Sequence, residues 1–237
     1  MTTKNNLLAI IPARSGSQSV KKKNIKELHG KPLLAYTSEI ALKIKAINDL
    51  ILSTDCPKIA KIGKKLGLSV PFLRPKNLST NNSHINQTIK YCLQRMEKLK
   101  KCKYDEILLL QPTSPFREIH DINKCIKILR KNKKIDSVVS VTNVDGFHPL
   151  RMKIIRNKLL LNLMGHKSED MRPRQKLYKV YIRNGAIYLF RRSVFDKNKK
   201  KKKLHVRPYI MSKEKSVNID SIFDFYLAEK IIENKKI

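Results

Sequence analysis

Short apolar runs alternate with longer amphipathic segments along most of the chain. The apolar runs are brief and bounded by turn-forming residues, so they predict β-strands at 7–12, 49–55, 70–73, 106–111 and 137–141. The segments between them repeat apolar residues at helical spacing, which predicts helices over 32–47, 57–67, 83–99 and 119–132. This order indicates an α/β fold with a mainly parallel sheet that helices cover on both faces.

The pattern changes after Val144. Residues 152–163 predict a β-hairpin with its turn near Asn157. We interpret the surrounding stretch, 145–182, as a β-rich flap or dimer arm inserted into one domain that spans residues 1–237.

Three further elements complete the predicted fold. The runs 185–190 and 206–211 predict strands, and 220–234 predicts an amphipathic helix. Asp220 stands at the start of that helix, where a carboxylate accepts bonds from backbone N–H groups of the first turn. We therefore expect Asp220 to cap it.

The composition is that of a globular protein without a membrane-spanning segment. The chain has 237 residues, of which 41% are hydrophobic and 30% charged, and this is enough apolar material for a core. No stretch approaches the roughly 18 consecutive apolar residues that a transmembrane helix needs. The first apolar run, 7–11, is too short for a signal peptide and Arg14 soon follows it, so we expect a cytoplasmic protein that does not bind membranes.

A formal net charge of +33 indicates anionic partners. Two interpretations compete: nucleic-acid binding, and a lysine-rich surface around a site for a small anionic substrate. Lysine outnumbers arginine 39 to 13, only 6% of the residues are aromatic, and tryptophan is absent. Because proteins that bind nucleic acids favour arginine and stacking aromatics, the composition favours the small substrate over a specific nucleic acid.

The segment AIIPARSGSQSVKKKNI, residues 9–25, puts a small cationic loop directly after the first predicted strand. Ligands of parallel α/β sheets bind beyond the carboxyl ends of the strands, and the loop leaves the sheet at that edge. Gly16 and the serines beside it let backbone N–H groups approach an anion, while Arg14 and lysines 21–23 add positive charge. We therefore predict that this loop binds the phosphates of a nucleoside triphosphate.

Two common nucleotide-binding motifs are missing from the sequence. It contains no GxxxxGK[ST] segment, which a P-loop requires, and no GxGxxG segment of a dinucleotide-binding fold. These absences exclude a P-loop ATPase and a common dehydrogenase.

The loop segment resembles the N-terminal motif of the acylneuraminate cytidylyltransferases, roughly [IL]PARxGSKxxxxKN. The resemblance continues in order through GKPLLAYT, ILSTD, LRPKNLS, LLLQPTSPFR, DSVVSV, HPL, PRQ, NGAIYL and NIDSIFDFYLAE, which together span nearly the whole chain. It implies a three-layer, Rossmann-like nucleotide-diphospho-sugar transferase fold with a small β-rich dimerisation insertion, and hence a homodimer. It also implies an enzyme that activates a nine-carbon α-keto acid sugar with CTP and releases pyrophosphate; the sugar is sialic acid or a legionaminic or pseudaminic relative.

The resemblance implies which residues bind the nucleotide. By their positions in the matching motifs, these are Arg14, Ser17, Gln18, Lys23, Asn24 and Arg74. Arg74 is expected near the cytosine and the others near the phosphates. Lys23 is the residue expected to stabilise the charge that builds on the phosphates during transfer, so it is assigned as catalytic together with Arg14 and Asp220.

The resemblance also implies a set of residues that bind the sugar: Gln111, Thr113, Arg151, Arg174, Gln175, Tyr181 and Asn184. Arg174, in the PRQ motif, is the expected partner of the sugar carboxylate, because a guanidinium group binds a carboxylate through two parallel hydrogen bonds. Gln111 can donate and accept, which suits sugar hydroxyls or an amide. Arg151 is expected to reach the site from a dimer arm.

Two positions depart from the family pattern. Gln18 stands where the family usually has lysine, so one positive charge near the phosphates is missing. The metal motif, usually Asp-x-Asp, begins here with Asn218, whose carbonyl oxygen is a weaker ligand than a carboxylate. We therefore expect Asp220 to be the main protein ligand of Mg²⁺, with Asn218 as a lesser one, and the ion to be held largely by the triphosphate and water.

Other functions stay open at this level. A guanylyl-sugar synthetase or a related enzyme making a CMP-linked octulosonate is an alternative, although an octulosonate enzyme would be expected to lack the series PRQ and NGAIYL. A non-catalytic polyanion-binding protein on the same fold is motivated by the net charge and by the two departures. Glycosyltransferases need an acidic metal motif after a central strand, and the QPTSP segment at that place has none.

Overall fold

The apolar run at residues 7–11 forms the core of a central strand. In the computed structural model, which describes residues 5–16, 20–165, 171–196 and 203–234, all of its side chains are buried. Burial of consecutive residues is typical of a strand with a layer packed on each face.

Ten strands and five α-helices lie within the described ranges. The strands are β1 (Leu7–Pro12), β2 (Glu27–Leu28), β3 (Lys31–Pro32), β4 (Asp49–Ser53), β5 (Glu106–Leu109), β6 (Ser137–Asn143), β7 (Lys153–Arg156), β8 (Leu159–Asn162), β9 (Tyr181–Arg191) and β10 (Val206–Ile210). The helices are α1 (Leu33–Ala41), α2 (Pro57–Lys65), α3 (Ile85–Lys100), α4 (Ile119–Lys131) and α5 (Ile222–Asn234). None of the helices in the described part of the chain combines the length and the apolar character that crossing a bilayer requires.

Six strands form the main sheet in the order β10-β6-β9-β5-β1-β4. The pairs β10–β6, β5–β1 and β1–β4 are parallel, whereas β9 runs antiparallel to both of its neighbours. The predicted α/β fold with a mainly parallel sheet is confirmed. The reversed direction of β9 was not predicted, because the apolar run 185–190 carries no mark of the direction in which the strand enters the sheet.

Helices pack on both faces of the sheet and give a three-layer structure. Alternate side chains of β1 enter two separate cores: Leu7 and Ala9 pack with residues of α1, α2 and α4, while Leu8 and Ile10 pack with residues of α3. A third cluster joins α5 to the start of α1 through Phe225 and other apolar side chains. This third cluster holds the last helix beside the carboxyl edge of the sheet.

Strand β9 contains a bulge opposite Ser140. Val139 pairs with Tyr188 and Val141 pairs with Arg183, so four residues of β9 face a single residue of β6. The Ser140 hydroxyl donates to Asn184 Oδ1 at 2.6 Å and accepts from the Ile187 N–H at 2.8 Å. The side chain of one buried serine thereby holds the irregular backbone, as expected for a bulge beside a functional site.

Two predicted elements differ from the structure for local reasons. Residues 70–73 do not form a strand, since Pro71 lacks the N–H that a ladder needs, and only the bridge from Ser69 to Ile51 is made. Helix α1 ends at Ala41 rather than near residue 47. The chain instead turns so that Asn48 binds the backbone of Leu7 through both its N–H and its side-chain oxygen.

A small hairpin, β2–β3, was not predicted. Its turn residues His29 and Gly30 have positive φ angles of 48° and 75°, which favour a tight reversal of the chain. Strands of two residues are too short to produce an alternating pattern in the sequence.

The cap of the last helix is Ser221, so the prediction that Asp220 caps it is wrong. The Ser221 hydroxyl accepts from the Asp224 N–H at 3.3 Å, and Asp224 Oδ2 accepts from the Ser221 N–H at 2.7 Å. This reciprocal pair is a capping box. It leaves the Asp220 side chain outside the helix and available to the neighbouring loop.

The insertion contains the predicted hairpin. Strands β7 and β8 pair antiparallel with each other in a sheet of their own, with Asn157 and Lys158 at the turn. An isolated two-stranded hairpin is marginally stable in water. The role of residues 145–182 as a flap or dimer arm stays a prediction at this point.

Candidate active site

A cleft of about 550 Å³ lies at the carboxyl edge of the sheet. Its lining comes from the loop after β1, the segment 74–88, the turn after β5 and residues 218–220. The charged side chains among the described residues of the lining are Arg14, Lys23, Arg74 and Asp220. Three cations against one carboxylate, in a volume usual for small-molecule sites, suit an anionic ligand.

Lys23 and Asp220, which both line the cleft, form an ion pair. Lys23 Nζ lies 2.8 Å from Asp220 Oδ1, and the side chain of Lys23 is only 12% exposed whereas that of Asp220 is 67% exposed. Lys23 begins a short 3-10 helix, Lys23–Ile25, that follows the loop. The structure thus brings together two residues that are 197 positions apart in the sequence and that were both assigned as catalytic.

The loop after β1 is tied to its surroundings at three points. Arg14 Nη1 donates to the Thr80 carbonyl at 2.7 Å, and the buried Asn24 side chain donates to the Arg14 carbonyl at 3.0 Å. The Ser15 N–H and hydroxyl both donate to Asp55, at 3.0 and 2.6 Å. Arg14 and Asn24 therefore both line the cleft, as the predicted nucleotide site requires. In this structure their side chains form hydrogen bonds to backbone carbonyls of the protein itself.

Two predicted nucleotide-binding residues, Ser17 and Gln18, lie outside the described residues. Their roles stay predictions.

Arg74 forms the buried end of the cleft. Its Nε donates to Ser79 Oγ at 3.0 Å and its Nη1 to Thr88 Oγ1 at 3.3 Å. Nη2 is buried, has no hydrogen-bond partner among the described residues and lies 4.0 Å from Asp55 Oδ1. Burial lowers the pKa of the guanidinium, with Asp55 opposing that shift. A buried donor without a partner is costly, so this nitrogen is suited to an acceptor atom on a ligand.

Gln111, Ser114 and Asn218 approach Gly185 closely beside the cleft, which Gln111 and Asn218 line. Gly185 lies in the β9 bulge with a φ of 76°, and a Cβ there would stand 2.8 Å from Gln111 Oε1. The same added atom would stand 3.1 Å from Ser114 Oγ and 3.2 Å from Asn218 Oδ1. The glycine is required both for its positive φ and for this close approach.

Asn218 links the turn after β5 to Asp220. Its Oδ1 accepts from the Thr113 hydroxyl at 2.7 Å, and its amide nitrogen donates to Asp220 Oδ2. The side-chain oxygen that was expected to bind metal is therefore used by Thr113 here. A metal-binding role for Asn218 stays a prediction, and it would require this amide to turn over.

The donor set around Asp220 fits a divalent cation that arrives already bound to phosphates. Among the described residues, no three His, Cys, Asp or Glu side chains converge in a way that would hold a metal ion. Mg²⁺ is commonly held by one or two carboxylates together with phosphate oxygens and water. Asp220 supplies one such carboxylate in the lining of the cleft.

Five of the predicted sugar-binding residues do not belong to the described lining of the cleft. They are Arg151, Arg174, Gln175, Tyr181 and Asn184.

Arg151 donates to the Arg172 carbonyl at 2.7 Å, and Arg174 lies near Asp145 in the insertion. Tyr181 is exposed at the start of β9. Asn184 is buried, and its amide nitrogen donates to Ser216 Oγ at 2.9 Å. In this structure Asn184 stabilises the bulge rather than facing the cleft.

Sequence reasoning missed Arg117 and Thr37. Arg117 is buried behind the turn after β5, where it binds the Gln111 carbonyl and the Thr37 hydroxyl. The available signal was an arginine at the end of the QPTSPFR segment, but a charged residue there predicts an exposed position unless its partners are known.

One family model matches most of the chain. The family is described as cytidylyltransferase, and the match covers residues 8–235.

Two curated relatives are similar over almost the whole chain. The CMP-N,N'-diacetyllegionaminic acid synthase of Legionella pneumophila is 31% identical in an alignment of 240 positions that covers 96% of this chain and 96% of that protein. The N-acylneuraminate cytidylyltransferase of Escherichia coli is 34% identical over 233 residues, which is 98% of this chain and 53% of that protein. This chain therefore spans about half the length of the second relative.

A solved structure shares the fold. The CMP:2-keto-3-deoxy-manno-octonic acid synthetase complexed with CTP superposes with a TM-score of 0.70 at 15% identity, covering 98% of this chain and 100% of that one. At this level of identity the likeness concerns the fold alone. It confirms the predicted three-layer fold with a mainly parallel central sheet.

Proposed function

Because this chain belongs to the cytidylyltransferase family, we propose that it transfers CMP from CTP to the anomeric hydroxyl of a nine-carbon α-keto acid sugar. The hydroxyl oxygen forms a bond to the α-phosphorus, the bond from that phosphorus to the bridging oxygen breaks, and pyrophosphate leaves. The observation that carries the proposal is the similarity, over nearly the whole chain, to relatives named for CMP-legionaminic acid synthesis and N-acylneuraminate cytidylyl transfer.

The nucleobase lies at the Arg74 end of the cleft. The unpartnered Nη2 of Arg74 can donate to a carbonyl or ring nitrogen of cytosine. The floor beside it is made of small polar side chains and Leu78, which leave room for a flat base.

The triphosphate extends from the base towards Lys23. Lys23 neutralises charge on the phosphates as pyrophosphate departs, which requires that its ammonium group exchange Asp220 for phosphate oxygens. Asp220 then supplies a ligand for Mg²⁺, which would spread the negative charge of the triphosphate when bound. Arg14, which lines the same part of the cleft, adds a second positive charge.

The sugar lies against the turn after β5. The Gln111 side chain binds hydroxyl or amide groups of the sugar, and Thr113 lines the cleft beside it. Arg174 is proposed as the partner of the sugar carboxylate, a role that its position in the PRQ segment supports. Arg151, Gln175 and Tyr181 are proposed to complete the sugar site from the insertion.

Pyrophosphate release tests the proposed function directly. The assay supplies Mg²⁺, CTP and, one at a time, sialic, legionaminic, pseudaminic and octulosonic acids, with GTP, ATP and UTP as nucleotide controls. We expect release with CTP and at least one nine-carbon acid. Release only with the eight-carbon acid, or only with GTP, would favour the alternatives named from the sequence. Salt-sensitive RNA binding without any release would favour a polyanion-binding protein instead.

Arg74→Lys tests the nucleobase end of the cleft. Lysine keeps the charge but loses the planar fork, so we expect the KM for CTP to rise by about tenfold or more while the KM for the sugar stays within about twofold. Arg95→Lys is a suitable control, because Arg95 is an exposed arginine that stacks on the ring of Phe72 away from the cleft lining. An unchanged KM for CTP in Arg74→Lys would contradict the assignment.

Asn218→Asp tests the metal end of the cleft. The substitution replaces an amide that donates to Asp220 with a second carboxylate. We expect the melting temperature without metal to fall by a few degrees, because like charges then face each other, and added Mg²⁺ with CTP to restore it. Asn81→Asp, which adds a carboxylate elsewhere in the lining, should not show this metal dependence. Equal responses of the two variants to Mg²⁺ would place the metal away from Asp220.

We further propose a homodimer joined through the hairpin β7–β8. Ile155 and Leu160 are paired on one face of the hairpin and are 76% and 67% exposed, and Leu159 and Leu161 are exposed on its other face. The hairpin pairs with no other strand of the described chain, and an exposed apolar surface of this kind is unfavourable in water unless another surface buries it. A second copy of the chain supplies such a surface.

Leu160→Asp should disrupt this dimer. A carboxylate buried at an apolar interface is strongly unfavourable, so we expect the variant to sediment as a monomer at concentrations where the parent protein is a dimer. Leu99→Asp is the matched control, since Leu99 is an exposed leucine on α3. A parent protein that is itself monomeric, or dimers in both variants, would refute the interface.

A cytoplasmic location is proposed as well. The proposal rests on the proposed reaction, which consumes a free nucleoside triphosphate. Fractionation of cells that express the tagged chain, with a membrane protein and a periplasmic or secreted protein as markers, is the direct test.

A further inference from the structure

A single buried arginine connects three elements behind the sugar side of the cleft. Arg117 is 1% exposed. Its Nε donates to the Ala186 carbonyl at 2.8 Å, its Nη1 donates to Thr37 Oγ1 at 2.6 Å, and its Nη2 donates to the Gln111 carbonyl. The side chain therefore joins the β9 bulge, helix α1 and the turn after β5.

The contacts of Arg117 hold the backbone on both sides of the narrow gap between Gln111 and Gly185, which the Gln111 side chain occupies. Gln111 Oε1 packs so closely against Gly185 that a Cβ on the glycine would stand 2.8 Å from it. The two backbone carbonyls that Arg117 binds belong to Gln111 itself and to Ala186, the residue after that glycine. Both sides of the gap are thus fixed by one rigid, planar guanidinium group.

Thr37 completes the arrangement from helix α1. Its hydroxyl accepts from Arg117 and donates to the Gln111 carbonyl at 3.5 Å, and its side chain is fully buried. The Gln111 carbonyl therefore receives side-chain donors from two different elements, in addition to the Ser114 N–H at 3.4 Å. Removing the threonine hydroxyl would leave a nitrogen of the buried arginine without an acceptor.

Burial of the Arg117 charge is unfavourable, so filling space in the core does not explain why an arginine stands at this position. Burial lowers the Arg117 pKa to about 9, and the negative charge of Asp121 opposes that shift. The three groups that Arg117 binds are two carbonyls and a hydroxyl, so direct pairing with a carboxylate does not offset the desolvation. An apolar side chain would fill the same volume at less cost, but it would hold none of these groups.

We infer that Arg117 and Thr37 are positioning residues that set where Gln111 presents its side-chain amide to the acceptor sugar. The inference rests on the proposed function for the identity of that sugar. It assigns the two buried residues an effect on acceptor recognition and none on CTP binding.

Thr37→Val is the test variant, because valine has the shape of threonine without the hydroxyl. We expect the KM for the nine-carbon acid to rise by about tenfold and the KM for CTP to stay within about twofold. Ser38→Ala is the matched control: it removes a buried hydroxyl from the next residue of α1, where the bond goes to the Leu34 carbonyl and not to Arg117. Thr37→Ser, which restores the hydroxyl, should recover most of the lost acceptor recognition.

A second readout separates this inference from the proposed function. The side-chain amide signals of Gln111, assigned in a ¹⁵N spectrum of the free protein by their loss in Gln111→Glu, should shift or broaden in Thr37→Val and stay unchanged in Ser38→Ala. This result is obtained even if the parent protein turns over none of the acids. Unchanged Gln111 signals, or KM changes that affect both substrates equally, would overturn the inference.

Arg117→Lys serves if Thr37→Val fails to fold. Lysine keeps a buried positive charge but cannot hold three acceptors in one plane. The same two readouts apply, and a fall in melting temperature without any change at Gln111 would show that Arg117 is needed only for stability.

Discussion

Replacing Lys23 with methionine should lower kcat by a factor of about 10²–10³, since one preorganised donor at the charge that builds on the phosphates is removed. The side chain is mostly buried in the cleft and its ammonium group lies 2.8 Å from Asp220. Methionine fills a similar volume without the charge. We expect the KM for CTP to rise much less than kcat falls, because the effect is greatest in the transition state.

The stability of the Lys23→Met protein distinguishes a chemical role from a structural one. Asp220 stays largely solvated, so loss of this ion pair should change the melting temperature little. Lys26→Met is the control, because Lys26 is exposed three residues further on and lies over the Phe225 ring instead of the cleft. A Lys23→Met protein that keeps most of its kcat would remove Lys23 from the proposed mechanism.

Gly185→Ala should damage both the fold and sugar recognition. A side chain at a φ of 76° is strained, and its Cβ would come within 2.8 Å of Gln111 Oε1. We expect the free energy of unfolding to fall by about 1–2 kcal/mol, as measured by denaturant titration, mainly from the strained backbone, because the end of the Gln111 side chain can move away from the new Cβ. The KM for the sugar should rise in the same variant, because Gln111 is displaced.

Gly30→Ala separates these two causes. Gly30 has a φ of 75°, almost the same as that of Gly185, but a Cβ there would meet nothing within 4 Å. The control therefore carries the backbone strain without the crowding. If both variants lose the same stability and neither changes the KM for the sugar, the close approach at Gly185 has no functional meaning.

The sequence predicted the parts of the fold that depend on local pattern. The run 7–12 and the apolar runs near 49–55, 106–111, 137–141, 185–190 and 206–211 became strands of one sheet, and the cationic loop was placed at the edge where the cleft is found. The ion pair between Lys23 and Asp220 was not predicted: the family resemblance assigned both residues to the site, but nothing local connects residues so far apart.

Other features were beyond the reach of a single sequence. The bulge in β9 depends on the hydroxyl of Ser140 in a neighbouring strand, and the burial of Arg117 depends on acceptors from Thr37, Gln111 and Ala186. Ser221 was overlooked as a cap because Asp220, a residue of equal capping preference, stands immediately before it.

The bulge in β9 has an evolutionary consequence. Gly185 lies between two paired segments of β9, in a stretch whose backbone is held by the Ser140 hydroxyl and the Arg117 guanidinium, so it cannot adapt to a differently shaped acceptor without losing those bonds. A descendant of this chain that came to use another acid would have to change by replacing side chains such as Gln111, with the strand itself left in place. Acceptor specificity would thus evolve through side chains such as Gln111, while the backbone of β9 stays unchanged.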